Sequence, residues 1–251
     1  MEPIIAGHRG LDEFAPENTA PAFITSWELG MAIEFDVRLS SDGELVVIHD
    51  PTLDRTTDGS GVVADHDLAA LKQVDAGRWR GERFAGEQIL TLDETLALAA
   101  EHGRASTTLV LEVKVDEPGM EEPICGLLNR HGVMDRTAVI GAHVTVIDAP
   151  ESRWRFREVD SSVPVSVAVN EPNEIEQALD DECSSWLYVR FAPSPIEVEQ
   201  IHRAGKRVIA SGLNVMNIID QAYASMISGS DVVLSNHPMA LAGRWLDHTR
   251  A

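Results

Sequence analysis

Short apolar runs rich in β-branched residues alternate along this chain with segments of helical periodicity. The eight runs that predict buried strands cover residues 3–7, 32–37, 108–113, 137–142, 163–169, 186–190, 207–211 and 231–236. Continuous apolar runs of this kind are typical of parallel strands that are buried on both faces. Because they alternate with helices, they favour an α/β fold of the TIM (β/α)8 barrel type, with a doubly wound open sheet as the alternative.

The segments between the strands carry helix signals. Residues 91–103 open with Thr91 and Glu94 at the spacing of a capping box, which marks a helix start. Further helices are predicted over residues 19–30, 118–131, 172–183, 195–205 and 215–228.

Two segments interrupt the alternation. Residues 44–50 follow the second strand too closely for a helical crossover and therefore predict a hairpin. Residues 51–90 form a long Gly-rich connection with a short helical pattern near 66–73, and a connection of this length is more often functional than slack. We expect one domain over residues 1–251, with 51–90 as a small insertion after the strand-two hairpin.

The hairpin turn is predicted at Asp42-Gly43, since this dipeptide suits a type I′ turn. A turn centred there places Asp36 directly opposite His49. Glu34 lies two residues before Asp36 and so points to the same face of the strand. A slip of one residue would undo this pairing.

Charged residues interrupt the first three apolar strands near their carboxyl ends. The set comprises His8, Arg9, Glu34, Asp36, Glu112 and Lys114, and His49 joins it through the hairpin. The ends of these strands are neighbours in a barrel, so we expect the side chains to converge where barrel active sites form. The alternative is a structural salt bridge from the acid pair to Arg9 or Arg38.

Each member of this set suits one part of a phosphodiester cleavage. Carboxylates bind a hard divalent cation such as Mg²⁺ or Ca²⁺, with Mn²⁺ also suitable. Arginine and lysine bind an anionic phosphate, and imidazoles serve as acid and base near neutral pH. The sequence contains no GxxxxGKS loop and no GxSxG elbow, which disfavours nucleotide-binding and serine-hydrolase chemistry.

The composition and charge of the chain indicate which classes of binding partner it disfavours. The formal net charge is −21, from 41 acidic and 20 basic residues, which disfavours nucleic acid and anionic membranes. No apolar run approaches the roughly 18 residues of a membrane span, and the N-terminus does not resemble a signal peptide. We expect a cytoplasmic protein with a small-molecule substrate, no nucleic-acid partner and no stable membrane insertion; the oligomeric state stays open.

The motifs together resemble a known family. HRG, APENT, EFDVRLSSDGELVVIHDPTLDRTTDGSG, LTLDETL and LEVK, within residues 4–114, closely resemble the glycerophosphodiester phosphodiesterases. The resemblance implies a TIM barrel, one divalent cation and hydrolysis of glycerophosphodiesters to glycerol 3-phosphate and an alcohol. By resemblance, Glu34, Asp36 and Glu112 correspond to the metal ligands. His8 corresponds to the base and His49 to the acid, and Arg9 and Lys114 correspond to the phosphate contacts.

The second half departs from the family pattern. Ser211 stands where members often carry an aromatic residue, Asn236 replaces an acid, and GAH at 141–143 replaces a Ser-Phe pair. We expect His143, Ser211 and Asn236 to be possible rim contacts that affect the preferred alcohol. Two alternatives remain: a lysophospholipase D or sphingomyelinase-D-like phosphodiesterase, and a non-catalytic phosphodiester-binding relative.

Overall fold

A nearly closed barrel of parallel strands forms the centre of the computed structural model, which describes residues 2–104 and 106–250. Its eight strands are β1 Ile4–Gly7, β2 Ala32–Leu39, β4 Leu109–Val113, β5 Thr137–Ile140, β6 Ser166–Val169, β7 Trp186–Val189, β8 Arg207–Ala210 and β9 Val232–Ser235. They run in the order β5-β4-β2-β1-β9-β8-β7-β6, and β3 (Leu45–Val47) pairs antiparallel with β2.

The two ends of this strand order meet. The Val139 amide of β5 donates to the carbonyl of Pro164, just before β6, at 2.9 Å, and a bridge joins Val139 to Val165. An open doubly wound sheet would keep its first and last strands apart. The prediction of a TIM (β/α)8 barrel is therefore confirmed.

Helices connect the strands and cover the outside of the barrel. They are α1 Ala20–Glu28, α2 Leu68–Leu71, α3 Leu92–His102, α4 Glu121–Arg130, α5 Glu151–Val159, α6 Ile175–Leu179, α7 Pro195–Arg203, α8 Leu213–Asn217, α9 Ile219–Ile227 and α10 Pro238–Arg250. The predicted capping box at Thr91 and Glu94 is present. The predicted helix over 215–228 is instead two short helices, and α5 and α10 were not predicted. Across the described ranges, no helix combines the length and apolar character that a membrane span requires.

Successive side chains along each strand point alternately into and out of the barrel, so the inward-facing ones form layers inside it. One buried apolar cluster takes members from most strands: Ala6, Ala32, Val110, Ala138, Ile140, Trp186, Ile209, Val232 and Leu234. Side chains two residues apart point to the same face of a strand. Counting two residues toward the carboxyl end from Ala6, Ala32, Val110, Trp186, Ile209 and Leu234 leads to His8, Glu34, Glu112, Tyr188, Ser211 and Asn236. The apolar layer is therefore the floor of the site described below.

The predicted pairing of Asp36 with His49 is wrong. The observed register pairs Val37 with Val47, which is one residue away from the predicted one. Asp36 therefore lies opposite Ile48, whose amide donates to the Asp36 carbonyl at 3.0 Å. His49 lies beyond the end of β3, so strand alternation does not set the direction of its side chain.

The turn explains the shift in register. Ser40 pairs with Glu44 through a 3.0 Å backbone bond, so the loop has three residues rather than two. Gly43 closes it at φ +83° and donates to the Ser40 carbonyl, as in a type I turn followed by a left-handed residue. The Ser40 hydroxyl also accepts from the Glu44 amide and donates to Asp42.

Residues 51–90 pack beside this hairpin. They share a small apolar cluster with it, formed by Val46, Ile48, Leu53, Val63, Leu71, Ala76 and Ile89. The cluster fixes the start of the segment next to the end of β3, so the residues that follow His49 lie close to the carboxyl end of the barrel.

Candidate active site

Three carboxylates lie together at the carboxyl end of neighbouring strands. Glu34 and Asp36 come from β2 and Glu112 from β4, where Asp36 and Glu112 are direct partners in the register. One oxygen of each lies within 4.8 Å of the others. Glu34 and Asp36 are completely buried. Three carboxylates of like charge therefore lie close together. We call this cluster the acidic centre.

The acidic centre has the chemistry of a cation site. Within the described part of the chain, the buried Glu34 Oε1 has no hydrogen-bond partner, and the buried Asp36 Oδ1 contacts only the Lys114 ammonium. Burial, with Asp36 and Glu112 nearby, raises the pKa of Glu34 well above its ordinary value. Buried oxygens that lack donors and repel one another are stabilised by a divalent cation. The residues present therefore fit such an ion.

The negative charge of Asp36 is stabilised by more neighbouring groups than that of Glu34. Burial alone would raise its pKa, but Lys114, the Asn18 amide and Arg9 outweigh burial and lower it. The Asn18 amide donates to Asp36 Oδ2 at 2.7 Å. Asp36 is therefore ionised at neutral pH even before a cation binds.

Two cationic side chains border the carboxylates. Lys114 Nζ lies 3.0 Å from Asp36 Oδ1 and 2.8 Å from Glu112 Oε1. Burial disfavours the ammonium, but these two carboxylates outweigh burial and raise the pKa of Lys114, so it stays charged. Arg9 Nε lies 3.6 Å from Asp36 Oδ2, and the Arg9 amide donates to Glu34 Oε2 at 2.9 Å.

The turn after β1 sets the position of Arg9. Arg9 adopts φ +59° and Gly10 φ +83°, which bends the chain back over the strand end. A Cβ at Gly7 would lie 2.4 Å from the Gly10 carbonyl oxygen, so this tight turn requires glycine. Arg38, by contrast, forms no ion pair with Glu34 or Asp36 among the described residues, and its Nε donates to the His49 carbonyl at 2.8 Å.

His8 is held in one tautomer. Its Nδ1 lies 2.7 Å from Asn236 Oδ1, and Asn236 in turn donates to Asn217 Oδ1 at 2.8 Å. An amide oxygen only accepts, so Nδ1 carries the proton and Nε2 is the acceptor, 3.9 Å from Glu34 Oε2. Burial and then Arg9 lower the pKa of His8, which favours the neutral ring.

His49 is held by a carboxylate. Its Nδ1 lies 2.6 Å from Asp50 Oδ1. Hydrogen bonds from Arg55 hold the pKa of Asp50 well below its ordinary value, although partial burial opposes this. Asp50 is therefore an acceptor, the His49 proton lies on Nδ1, and Nε2 is left for a ligand.

The three predicted rim residues from the second half of the chain differ in how they contact the site. Asn236 contacts His8 directly, whereas Ser211 donates to Tyr188 Oη at 2.7 Å. His143 is half-exposed and faces Asp116 at 3.9 Å. Within the described residues, His143 forms no ion pair with the three carboxylates.

Sequence reasoning missed several contributors. Asn18, which directly precedes the helix predicted over residues 19–30, was not assigned to the site, but its φ of +57° turns the amide onto Asp36. Glu17 and Arg55 were not singled out either, and they join Arg9 to Asp50. Their signal was present in the quoted motifs, APENT and DPTLDRTT, but only the three-dimensional structure shows which partner each residue takes.

The chain resembles known phosphodiesterases over most of its length. Residues 8–240 match the glycerophosphoryl diester phosphodiesterase family. A glycerophosphodiester phosphodiesterase of Caldanaerobacter subterraneus subsp. tengcongensis is 42% identical over 143 residues, which are 55% of this chain and 58% of that protein. The chain spans less than two thirds of the length of the curated relatives it matches.

Solved structures share the fold. A phosphodiesterase from Oleispira antarctica, in complex with the product sn-glycerol-3-phosphate, is 28% identical with a TM-score of 0.79 over 96% of each chain. A glycerophosphodiester phosphodiesterase from Agrobacterium tumefaciens, 24% identical, has the same TM-score over 96% of this chain and 99% of that one, which supports the barrel. Because the family match runs from His8 in the site to residue 240 in the last helix, this chain belongs to the glycerophosphoryl diester phosphodiesterase family.

Proposed function

We propose that this protein hydrolyses glycerophosphodiesters, such as glycerophosphocholine or glycerophosphoethanolamine, to sn-glycerol 3-phosphate and an alcohol. The observation that carries the proposal is the acidic centre of three carboxylates within 4.8 Å, bordered by two cations and two oriented imidazoles. The product bound by the related Oleispira enzyme supports the same substrate class.

Glu34, Asp36 and Glu112 would hold one divalent cation, Mg²⁺ or Ca²⁺, with Mn²⁺ also compatible with oxygen ligands. When bound, the cation supplies positive charge for the phosphoryl oxygens and lowers the pKa of a hydroxyl beside it. The buried, unpartnered Glu34 Oε1 within the three-carboxylate cluster is the observation that supports this role.

Arg9 and Lys114 would bind the phosphate. The Arg9 guanidinium and the Lys114 ammonium both lie beside Asp36, and both groups are cationic at neutral pH. Their charge would balance the negative charge that develops on the phosphoryl oxygens as the new bond forms.

His8 and His49 would transfer the protons. His8 Nε2, the acceptor in its neutral ring, would take the proton of the nucleophile, either water or the glycerol 2-hydroxyl, as the new P–O bond forms. His49, carrying protons on both ring nitrogens, would give its Nε2 proton to the departing alcohol oxygen as the old P–O bond breaks, while its Nδ1 proton stays bonded to Asp50. If the 2-hydroxyl attacks, water then opens the cyclic phosphate, so one water is consumed on either route.

A substrate panel tests this function. The protein is incubated with glycerophosphocholine, glycerophosphoethanolamine, lysophosphatidylcholine and sphingomyelin, and the released products are measured. We expect glycerol 3-phosphate from the two glycerophosphodiesters and no release from the acylated lipids. Turnover of lysophosphatidylcholine or sphingomyelin alone would favour a phospholipase-D-like activity. No turnover of any substrate would favour the binding relative.

A further inference from the structure

A continuous chain of ion pairs joins the two sides of the candidate site. It runs through five residues in the order Arg9, Glu17, Arg55, Asp50 and His49. Charges alternate along it, so each group has an opposite neighbour. Its central member, Arg55, belongs to the segment that follows the hairpin rather than to the barrel strands.

Arg55 is the member that makes the chain continuous. Its Nε and Nη2 donate to Asp50 at 2.6 and 2.9 Å, while its Nη1 and Nη2 donate to Glu17 at 2.7 and 2.8 Å. One guanidinium thereby grips two carboxylates in bidentate fashion, which a lysine ammonium does not match.

Both carboxylates have a second partner in the candidate site. Asp50 Oδ1 accepts from His49 Nδ1 at 2.6 Å, and Glu17 Oε1 accepts from Arg9 Nη1 at 2.9 Å. The rotation of each carboxylate is fixed by Arg55, and each carboxylate in turn fixes one functional side chain. Without Arg55, Asp50 would rotate in solvent and His49 would lose the partner that selects its tautomer.

We propose that Arg55 is a positioning residue that sets the tautomer and orientation of His49 and the position of Arg9 together. This inference rests on the proposed function, because it assigns His49 to acid catalysis and Arg9 to phosphate binding. Arg55 itself touches neither the reacting atoms nor the acidic centre. Its side chain is 43% exposed, so Arg55 lies at the edge of the site rather than in the barrel core.

The first test reads the His49 ring directly and needs no substrate. Side-chain ¹⁵N NMR of histidine-labelled protein, with the His49 signals assigned from His49→Ala, reports which ring nitrogen holds the proton. We expect wild type to show a protonated Nδ1 at high pH and Arg55→Ala to show a mixture of tautomers. Arg244→Ala is the matched control, because Arg244 pairs with Asp220 and is 44% exposed. Unchanged His49 signals in Arg55→Ala would overturn the proposal.

The second test separates kcat from KM with glycerophosphocholine. Arg55→Ala should lower kcat about tenfold to a hundredfold through His49 and raise KM through Arg9, whereas Asp50→Asn should lower kcat alone. Arg55→Lys should fall between wild type and Arg55→Ala, and it replaces the alanine variant should that fail to fold. Full wild-type kcat and KM in a folded Arg55→Ala protein would also overturn the proposal. A wild type without turnover would refute the proposed function, while the NMR result still decides the role of Arg55.

Discussion

The two sides of the barrel end in different chemistry. The carboxyl halves of β1, β2 and β4 lead to or carry His8, Glu34, Asp36 and Glu112. Those of β7, β8 and β9 carry or lead to the neutral groups of Tyr188, Ser211 and Asn236. Among the described residues, the charged side contains a buried oxygen without a donor, Glu34 Oε1, whereas on the neutral side Ser211 and Tyr188 hydrogen-bond to each other. We therefore expect the charged side to bind the cation and the phosphate, and the neutral side to shape the space beside them.

A side-chain hydrogen bond joins the two sides. β1 and β9 are paired strands, and His8 at the end of one contacts Asn236 at the end of the other at 2.7 Å. The neutral side thus selects the tautomer of a histidine on the charged side. Substitutions on the charged side should mainly affect turnover, and substitutions on the neutral side should have smaller effects.

The largest effect is expected from Glu34→Gln. Weakening a ligand of the cation should lower turnover by about 10³- to 10⁴-fold, since a bound metal contributes several kcal/mol of transition-state stabilisation. The same change should make the metal-free protein more resistant to urea at pH 8, because burial and the neighbouring carboxylates raise the pKa of Glu34 and so disfavour its charge. Glu44→Gln, in the exposed hairpin loop, is the control. Equal turnover in the two variants would contradict the account.

His8→Ala should have the next largest effect. We expect kcat to fall about 10²- to 10³-fold, in the range of a lost general base. Burial and then Arg9 lower the pKa of His8 from its ordinary value of 6.5. A base works unprotonated, so kcat/KM should decline only as the pH falls through that lowered pKa, and this acid limb should vanish in His8→Ala. An acid limb of the wild-type profile with its midpoint above pH 6.5, or an acid limb unchanged by the substitution, would exclude His8 as the base. The exposed His102→Ala serves as control.

Asn18→Ala should mainly affect stability. It removes the 2.7 Å bond to the buried, ionised Asp36, and hydrogen bonds to charged groups contribute about 1.5–3 kcal/mol. Alanine also tolerates the φ of +57° less well than asparagine. Urea unfolding in EDTA measures the loss. Asn129→Ala, which removes an exposed 3.0 Å bond to Asp160, should cost much less, and similar losses would show that burial of the acidic centre is not the cause.

The smallest effect is expected from Ser211→Ala. The substitution removes one neutral hydrogen bond to Tyr188, a change of about 0.5–1.5 kcal/mol in the free energy of unfolding. Turnover of glycerophosphocholine should stay within about threefold of wild type, while its ratio to glycerophosphoethanolamine should shift. A loss as large as that of His8→Ala would show that the neutral side takes part in the chemistry.

Much of the fold could be predicted because the buried strands of a barrel read as continuous apolar runs. Each of the eight predicted runs overlaps one strand of the barrel. Two helices were missed for a reason visible in α5, whose sequence ESRWRFREV is dominated by charged residues and shows little apolar periodicity. Its Arg153 is nevertheless fully buried and donates to the carbonyls of Val144 and Val146, a contact that no hydropathy pattern reveals.

The hairpin shows where local sequence rules fail. Asp42-Gly43 is a sound turn signal, but the dipeptide does not state the number of loop residues. The Ser40 side chain, which bonds to the Glu44 amide and to Asp42, stabilises the longer loop and shifts the register by one. Local sequence rules also fail for the chain of ion pairs from Arg9 to His49. Glu17 and Arg55 are 38 residues apart, and their contact depends on how residues 51–90 pack.

One measurement tests the central claim that the charged side holds a cation required for hydrolysis. The protein is stripped of metal with EDTA, and glycerol 3-phosphate release from glycerophosphocholine is followed as Mg²⁺, Ca²⁺ or Mn²⁺ is restored singly. We predict no release without metal, saturable recovery with at least one ion in wild type, and no recovery in Glu34→Gln. Full release by the stripped wild type, or equal recovery in Glu34→Gln, would contradict the assignment of these carboxylates.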